Sequence, residues 1–311
     1  MKHLYKNSLH RVALNSGLSR WLARRIESPR IITLHGVGDA AFPLHDFVRL
    51  MEWIKNHFRV CALSDLIDDL LLDQTRTCQG AIAITFDDGL RNQIRRAYPV
   101  LQALGLRATV FVCPGLVDSG RWLWNHEARA RLRRLALEQR RAFASQVEAP
   151  STDVEILVAW MKTLPRDRRQ YVEDGLRSRT LGFAPSAEER ESFDIVSWEE
   201  LQALDPAVMA IGSHTLNHPI LTTLEDAEVI HELERSRAVL EQRLDRSVDT
   251  FCYPNGAYDA RIREITARYY RAALSSVDGV VGEDSDPWAI HRIPASPHLH
   301  LTAWRLHRPT A

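Results

Sequence analysis

The sequence has no excess of charge of either sign: 40 basic residues stand against 40 acidic ones in a chain of 311, a formal net charge of zero. That argues against holding a polyanion by bulk electrostatics, so no nucleic-acid partner is expected. Cysteine is scarce. The four present, Cys61, Cys78, Cys113 and Cys252, show no CxxC or zinc-finger spacing, and a chain of this length does not need disulfides to fold, so reduced thiols are expected. Long apolar runs are missing too: none approaches the roughly 20 residues needed to cross a bilayer. The first residues lack the compact apolar core and small-residue cleavage site of a secretory signal, and a cytoplasmic protein is the expectation. Oligomeric state is not legible.

What the chain does have begins with a basic N-terminal segment, residues 1–29. Residues 1–25 carry Arg11, Arg20, Arg24 and Arg25 and no acid, with Leu9, Leu14, Leu18 and Trp21 between them. Such a segment can lie on an anionic membrane surface or dock as a terminal helix.

The most informative stretch is Ala81-Ile82-Ala83-Ile84-Thr85-Phe86-Asp87-Asp88-Gly89. A short apolar, β-branched run between two glycines reads as a buried parallel strand, and it ends in two adjacent carboxylates. Such a pair is costly unless a cation is bound or one member stays protonated, although a solvated Asp-Asp-Gly turn is the simpler alternative. A second apolar run ends in Ser213-His214-Thr215-Leu216-Asn217-His218-Pro219. Histidines four apart can share one ion if the backbone turns between them.

Together, Thr85 to Gly89 and Ser213 to Pro219, with a looser match at Phe251-Cys252-Tyr253-Pro254-Asn255-Gly256, resemble the polysaccharide deacetylase family, the NodB-like carbohydrate esterases of family 4. The likeness runs from about Arg30 to Pro294. It implies an irregular (β/α)7 barrel occupying residues 30–311, with active residues at the C-terminal strand ends. Periodicity agrees: strands are expected at 30–35, 58–63, 81–86, 107–112, 208–212, 250–253, 272–275 and near 291–294. Helices are expected from Ser64 to about Asp73, over 92–104, from Trp198 behind a Ser197/Glu200 capping box, from Thr222 or Thr223 to Leu244, and over 259–268. From about 121 to 195 no strand signal occurs, and a helical insertion is expected. At its entrance Trp122 and Trp124 could stack on sugar rings or pack in a core.

The resemblance implies roles. Asp88, His214 and His218 would hold a divalent metal ion, zinc being the expected one, and Asp87 would be the general base that deprotonates water. The backbone N–H of Tyr253 would stabilise the oxyanion. The general acid is expected to be His35, after a first strand similar to that of the circularly permuted exopolysaccharide deacetylases, although Leu34 replaces their usual tyrosine; His300 is the alternative. Cys252 stands where many relatives carry an arginine that orients the base, and Arg292 is the candidate to supply that guanidinium. The implied reaction is N-deacetylation of an amino sugar in a polysaccharide, oligosaccharide or lipid-linked precursor. Hydrolysis of another amide or an O-acetyl ester, or a catalytically silent glycan-binding subunit, are the alternatives.

Overall fold

The computed structural model describes residues 2–72 and 77–307. Met1, the expected helix end at Asp73 and the chain end from residue 308 lie outside the described residues.

Five-residue apolar runs supply most of the strands. β1 (Arg30–Leu34), β2 (Ile82–Phe86), β3 (Ala108–Val112) and β4 (Met209–Ser213) are followed by the shorter β5 (Thr250–Cys252), β6 (Ala272–Leu274) and β7 (Ile293–Pro294). All pairings are parallel, in the order β6-β5-β4-β3-β2-β1-β7. The sheet therefore curls into the expected seven-stranded barrel, nearly closed by a bridge from Leu274 to Ile290. β1, β2 and β3 are buried throughout, as strands covered on both faces must be.

The expected strand at 58–63 does not form. β1 and β3 occupy the two edges of β2, so only Val60 finds a place, as a single bridge to Ile82. Seven strands thus remain of the eight runs.

Helices alternate with the strands: α1 (Lys2–Asn15) and α2 (Leu18–Ala23) precede β1, and α3 (Leu44–His57) and α4 (Leu63–Leu72) follow it. α4 starts at Leu63, which puts Ser64 inside the first turn instead of at its cap. A π-helical turn (Gln93–Ala97) and α5 (Tyr98–Leu104) cover the expected 92–104 helix, stopped by Gly105. Between β3 and β4 lie α6 (Pro114–Ser119), α7 (Trp124–Arg134), α8 (Leu137–Gln146), α9 (Val154–Met161), α10 (Arg166–Arg179), α11 (Ala187–Phe193) and α12 (Trp198–Gln202). α7 to α10 bury Leu132, Phe143, Leu157 and Leu176 in a core of their own. The capping box at Ser197 and Glu200 is present in both directions, at 3.3 and 3.0 Å. α13 (Asp226–Leu244) starts three to four residues later than expected, because Leu221–Thr223 forms a 3₁₀ turn. α14 (Ala260–Thr266) and α15 (Leu299–Arg305) complete the chain.

α1 is docked: His10 stacks on Trp304 of α15 at 4.3 Å. No helix among the described residues is long and apolar enough to cross a membrane.

Candidate active site

β2 delivers Asp87 and Asp88 to the mouth of the barrel, and the loop after β4 delivers His214 and His218. One carboxylate oxygen, Asp88 Oδ1, stands 3.5 Å from His214 Nε2 and 3.3 Å from His218 Nε2. All three residues are nearly inaccessible. Bonds of about 2.0–2.1 Å in a tetrahedron put ligand atoms roughly 3.3 Å apart, so this spacing and donor set fit a divalent ion such as zinc. His214 Nδ1 lies 2.7 Å from the Cys252 carbonyl oxygen, a contact that fixes the proton on Nδ1 and leaves Nε2 free as a ligand.

The backbone is bent to achieve this. Asp88, Thr215 and His218 have φ of 80°, 68° and 58°, left-handed values that non-glycine residues rarely adopt. Gly89, also left-handed, continues the turn, where a Cβ would stand 3.3 Å from the Val112 side chain. The 215–218 loop is held from α13: Glu232 accepts from the N–H groups of Leu216 and Asn217 at 2.8 and 2.9 Å. His218 N–H donates to Thr215 Oγ1 at 2.9 Å.

Asp87 has a separate partner. Arg292, just before β7, places Nη1 and Nη2 each 2.7 Å from the two carboxylate oxygens. Its Nε donates to Ser275 O at 2.8 Å, its Nη1 to Thr85 Oγ1 at 3.2 Å, and its Nη2 to Cys252 Sγ at 3.1 Å. Burial opposes the Asp87 charge, but the guanidinium overcomes it and holds the carboxyl down at about 2. Cys252 is kept a neutral thiol by burial. The guanidinium absent from position 252 thus reaches Asp87 from the other side of the barrel, and the small thiol leaves room for it.

His35 is brought to the same mouth. Its side chain is 63% exposed and its Nε2 is 4.0 Å from Asp87 Oδ2. Gln93, in the π-turn, ties the two together by donating to the carbonyls of Asp87 and His35 at 2.5 and 3.0 Å.

Two sequence expectations need correction. The Tyr253 N–H is committed to the ladder, donating to Leu274 O at 3.1 Å, and the ring is buried with its hydroxyl on Trp288 O, so this amide is not free for an oxyanion. His300 is buried on α15 among Arg11, Arg49 and His298, and it makes no hydrogen bond or ion pair with either aspartate. Of the two roles left open for Trp122 and Trp124, core packing is the one found: both are buried, Trp122 against Phe183 and Phe193 and Trp124 in the insertion core.

Sequence reasoning missed Gln93, Glu232 and His126. Burial pushes His126, at the start of α7, down to about 4, and the charge of Asp88 reaches it. No local pattern marks these three, because Gln93 and Glu232 act on backbone groups of neighbouring segments and His126 is placed by the fold of the insertion.

Fold and site together define a parallel-barrel protein with a metal-type triad beside an arginine-held carboxylate. Residues 74–272 match the polysaccharide deacetylase family, more than half of the chain, and the chain belongs to that family. Among solved structures it is similar to the Streptococcus pyogenes deacetylase PplD in complex with acetate, with 16% identity and a TM-score of 0.62 over 91% of this chain and 99% of that one. IcaB from Ammonifex degensii gives 16% identity and a TM-score of 0.59 over 90% and 97%. YxkH of Bacillus subtilis is 17% identical over 293 residues, 92% of this chain and 78% of that protein.

Proposed function

We propose that the protein is a zinc-dependent N-deacetylase of an amino sugar within a glycan or a lipid-linked glycan precursor, working on the cytoplasmic side. The observation that carries the reading is the convergence of Asp88, His214 and His218 on tetrahedral spacing beside the Arg292-held Asp87.

A divalent ion held by Asp88, His214 and His218 supplies Lewis acidity and lowers the pKa of water. Asp87, ionised at neutral pH and unable to rotate in the grip of Arg292, accepts a proton from the water that attacks the acetyl carbon. The carbon–nitrogen bond then breaks, and His35, exposed at the mouth 4.0 Å from Asp87, gives a proton to the departing amine. With the Tyr253 N–H spent, Pro254 lacking one and the Gly256 N–H donating to Tyr253 O at 2.8 Å, the Asn255 N–H is the backbone donor that the turn at Pro254–Gly256 has to offer an oxyanion.

A membrane-borne precursor agrees with Leu9, Val12, Leu18 and Trp21, which stand exposed on α1 and α2 among basic residues. The test is acetate release from acetylated amino-sugar oligomers, with O-acetylated sugars as comparator. Chelator-sensitive release from the amide supports the reading. Release from esters alone, or release unaffected by chelator, overturns it.

A further inference from the structure

We propose that a second site, for a phosphoryl group, lies beside the active-site mouth and selects phosphorylated acetyl-sugar substrates. This rests on the deacetylase reading for its purpose, though not for its existence.

The observation is a cavity of about 310 Å³ between α1, α3 and the segment leading into α15, lined by Arg11, Arg49, His298 and His300 together with Asp46. Neither Arg11 nor Arg49 makes a hydrogen bond or ion pair among the described residues, whereas most arginines of the insertion are engaged with carboxylates. Asp46, the one acid on the lining, is 3.3 Å from the exposed His45. His300 is 5% exposed, and its Nε2 is buried without a hydrogen-bond partner. Arg11 and Arg49 are exposed, so their guanidiniums are hydrated and free to meet an anion, while the His300 Nε2 nitrogen is buried without a partner. An anion with several acceptor oxygens can bridge the two guanidiniums, and arginine forks match phosphate in geometry and charge.

The place matters as much as the chemistry. α3 follows the loop that leaves β1 at His35, and the segment 295–298 follows β7, which pairs with β1. Both therefore open on the C-terminal face of the barrel, where Asp87 and Asp88 stand. A sugar at those aspartates that carries a phosphoryl group, as a sugar phosphate or a lipid diphosphate does, can set it in this cavity. Arg11 also makes α1 part of the site, which gives the docked N-terminal helix a use beyond packing.

The test is calorimetric titration of inorganic phosphate into the full chain with a chelator present, so that any metal-bound phosphate is absent. The wild type is expected to bind, and Arg49→Gln to bind about tenfold more weakly, the loss expected for one charge-assisted contact. No binding, or equal affinity in an Arg11→Gln/Arg49→Gln double variant, overturns the site. In a second arm, the kcat/KM for N-acetylglucosamine 1-phosphate is divided by that for a neutral acetylated oligomer, and Arg49→Gln is expected to lower this ratio through KM. An unchanged ratio with lost binding to phosphatidylglycerol vesicles assigns the phosphoryl group to a lipid surface and overturns the substrate claim. Phosphate binding with no acetate released from either substrate refutes the deacetylase reading alone.

Discussion

At the scale of single residues, Asp87 and Asp88 are neighbours with different jobs, separated by what each faces. Asp88 meets two imidazoles, and Asp87 meets one guanidinium. Asp87→Asn is expected to leave metal content unchanged and lower kcat about 10²–10⁴-fold, the usual worth of a general base; acetate release and metal analysis on one sample check both. Arg292→Ala acts through Asp87. Without the guanidinium, the strongest influence opposing burial is gone and the carboxyl's pKa rises, so the acid limb of the pH–rate profile is expected to move to higher pH while metal stays bound. The variant is also expected to lose about 3–5 kcal/mol of stability, because one half of a buried pair is left behind. Both aspartates and both metal-site histidines were legible in the sequence because each pair sits in a contiguous motif after an apolar run. Tyr253 was misread for a definite reason: the strand pattern that includes it also means that its amide is spent in the ladder. Glu232 and Gln93 were not legible, since each acts on backbone groups of another element.

At the scale of elements, the strands of the barrel could be read from short buried runs, and the 58–63 run shows where that fails. Apolar composition says that a segment can pair; only the whole sheet says whether an edge remains. The α7–α11 insertion illustrates the reverse case, in which missing strand signals were informative. Its last helix is fastened to α7 by Arg134 and Glu189. The arginine, with the Ser186 cap, pulls the Glu189 carboxyl down to about 2, and it returns to an ordinary value on unfolding. A carboxyl depressed in the folded state stabilises above its unfolded pKa and ceases to do so as pH falls through the folded one. Wild type is therefore expected to melt above Glu189→Gln at pH 7, with the gap closing between about pH 4.5 and pH 2. A gap that widens on acidification contradicts the assignment.

At the scale of the whole molecule, the end of α2 and the end of α15 are joined at the foot of the barrel by Arg30, fully buried at the start of β1. It donates to the carbonyls of Ala23 at 2.8 Å, Leu306 at 3.1 Å and Gly80 at 2.9 Å. Arg30→Met keeps the volume but strands these acceptors, and a loss of about 2–4 kcal/mol in denaturant unfolding is expected, with activity per folded molecule retained. That junction, and the docking of α1 on α15, had no sequence signature because they rest on contacts between helices far apart in the sequence. The central claim concerns the other end of the barrel, where Asp88, His214 and His218 hold one divalent ion. Its most direct measurement is the metal stoichiometry of the purified chain and of His218→Ala after exhaustive dialysis. One tightly held equivalent in the wild type and its loss in the variant is the predicted result; no bound ion in the wild type, or a full equivalent in the variant, contradicts the account.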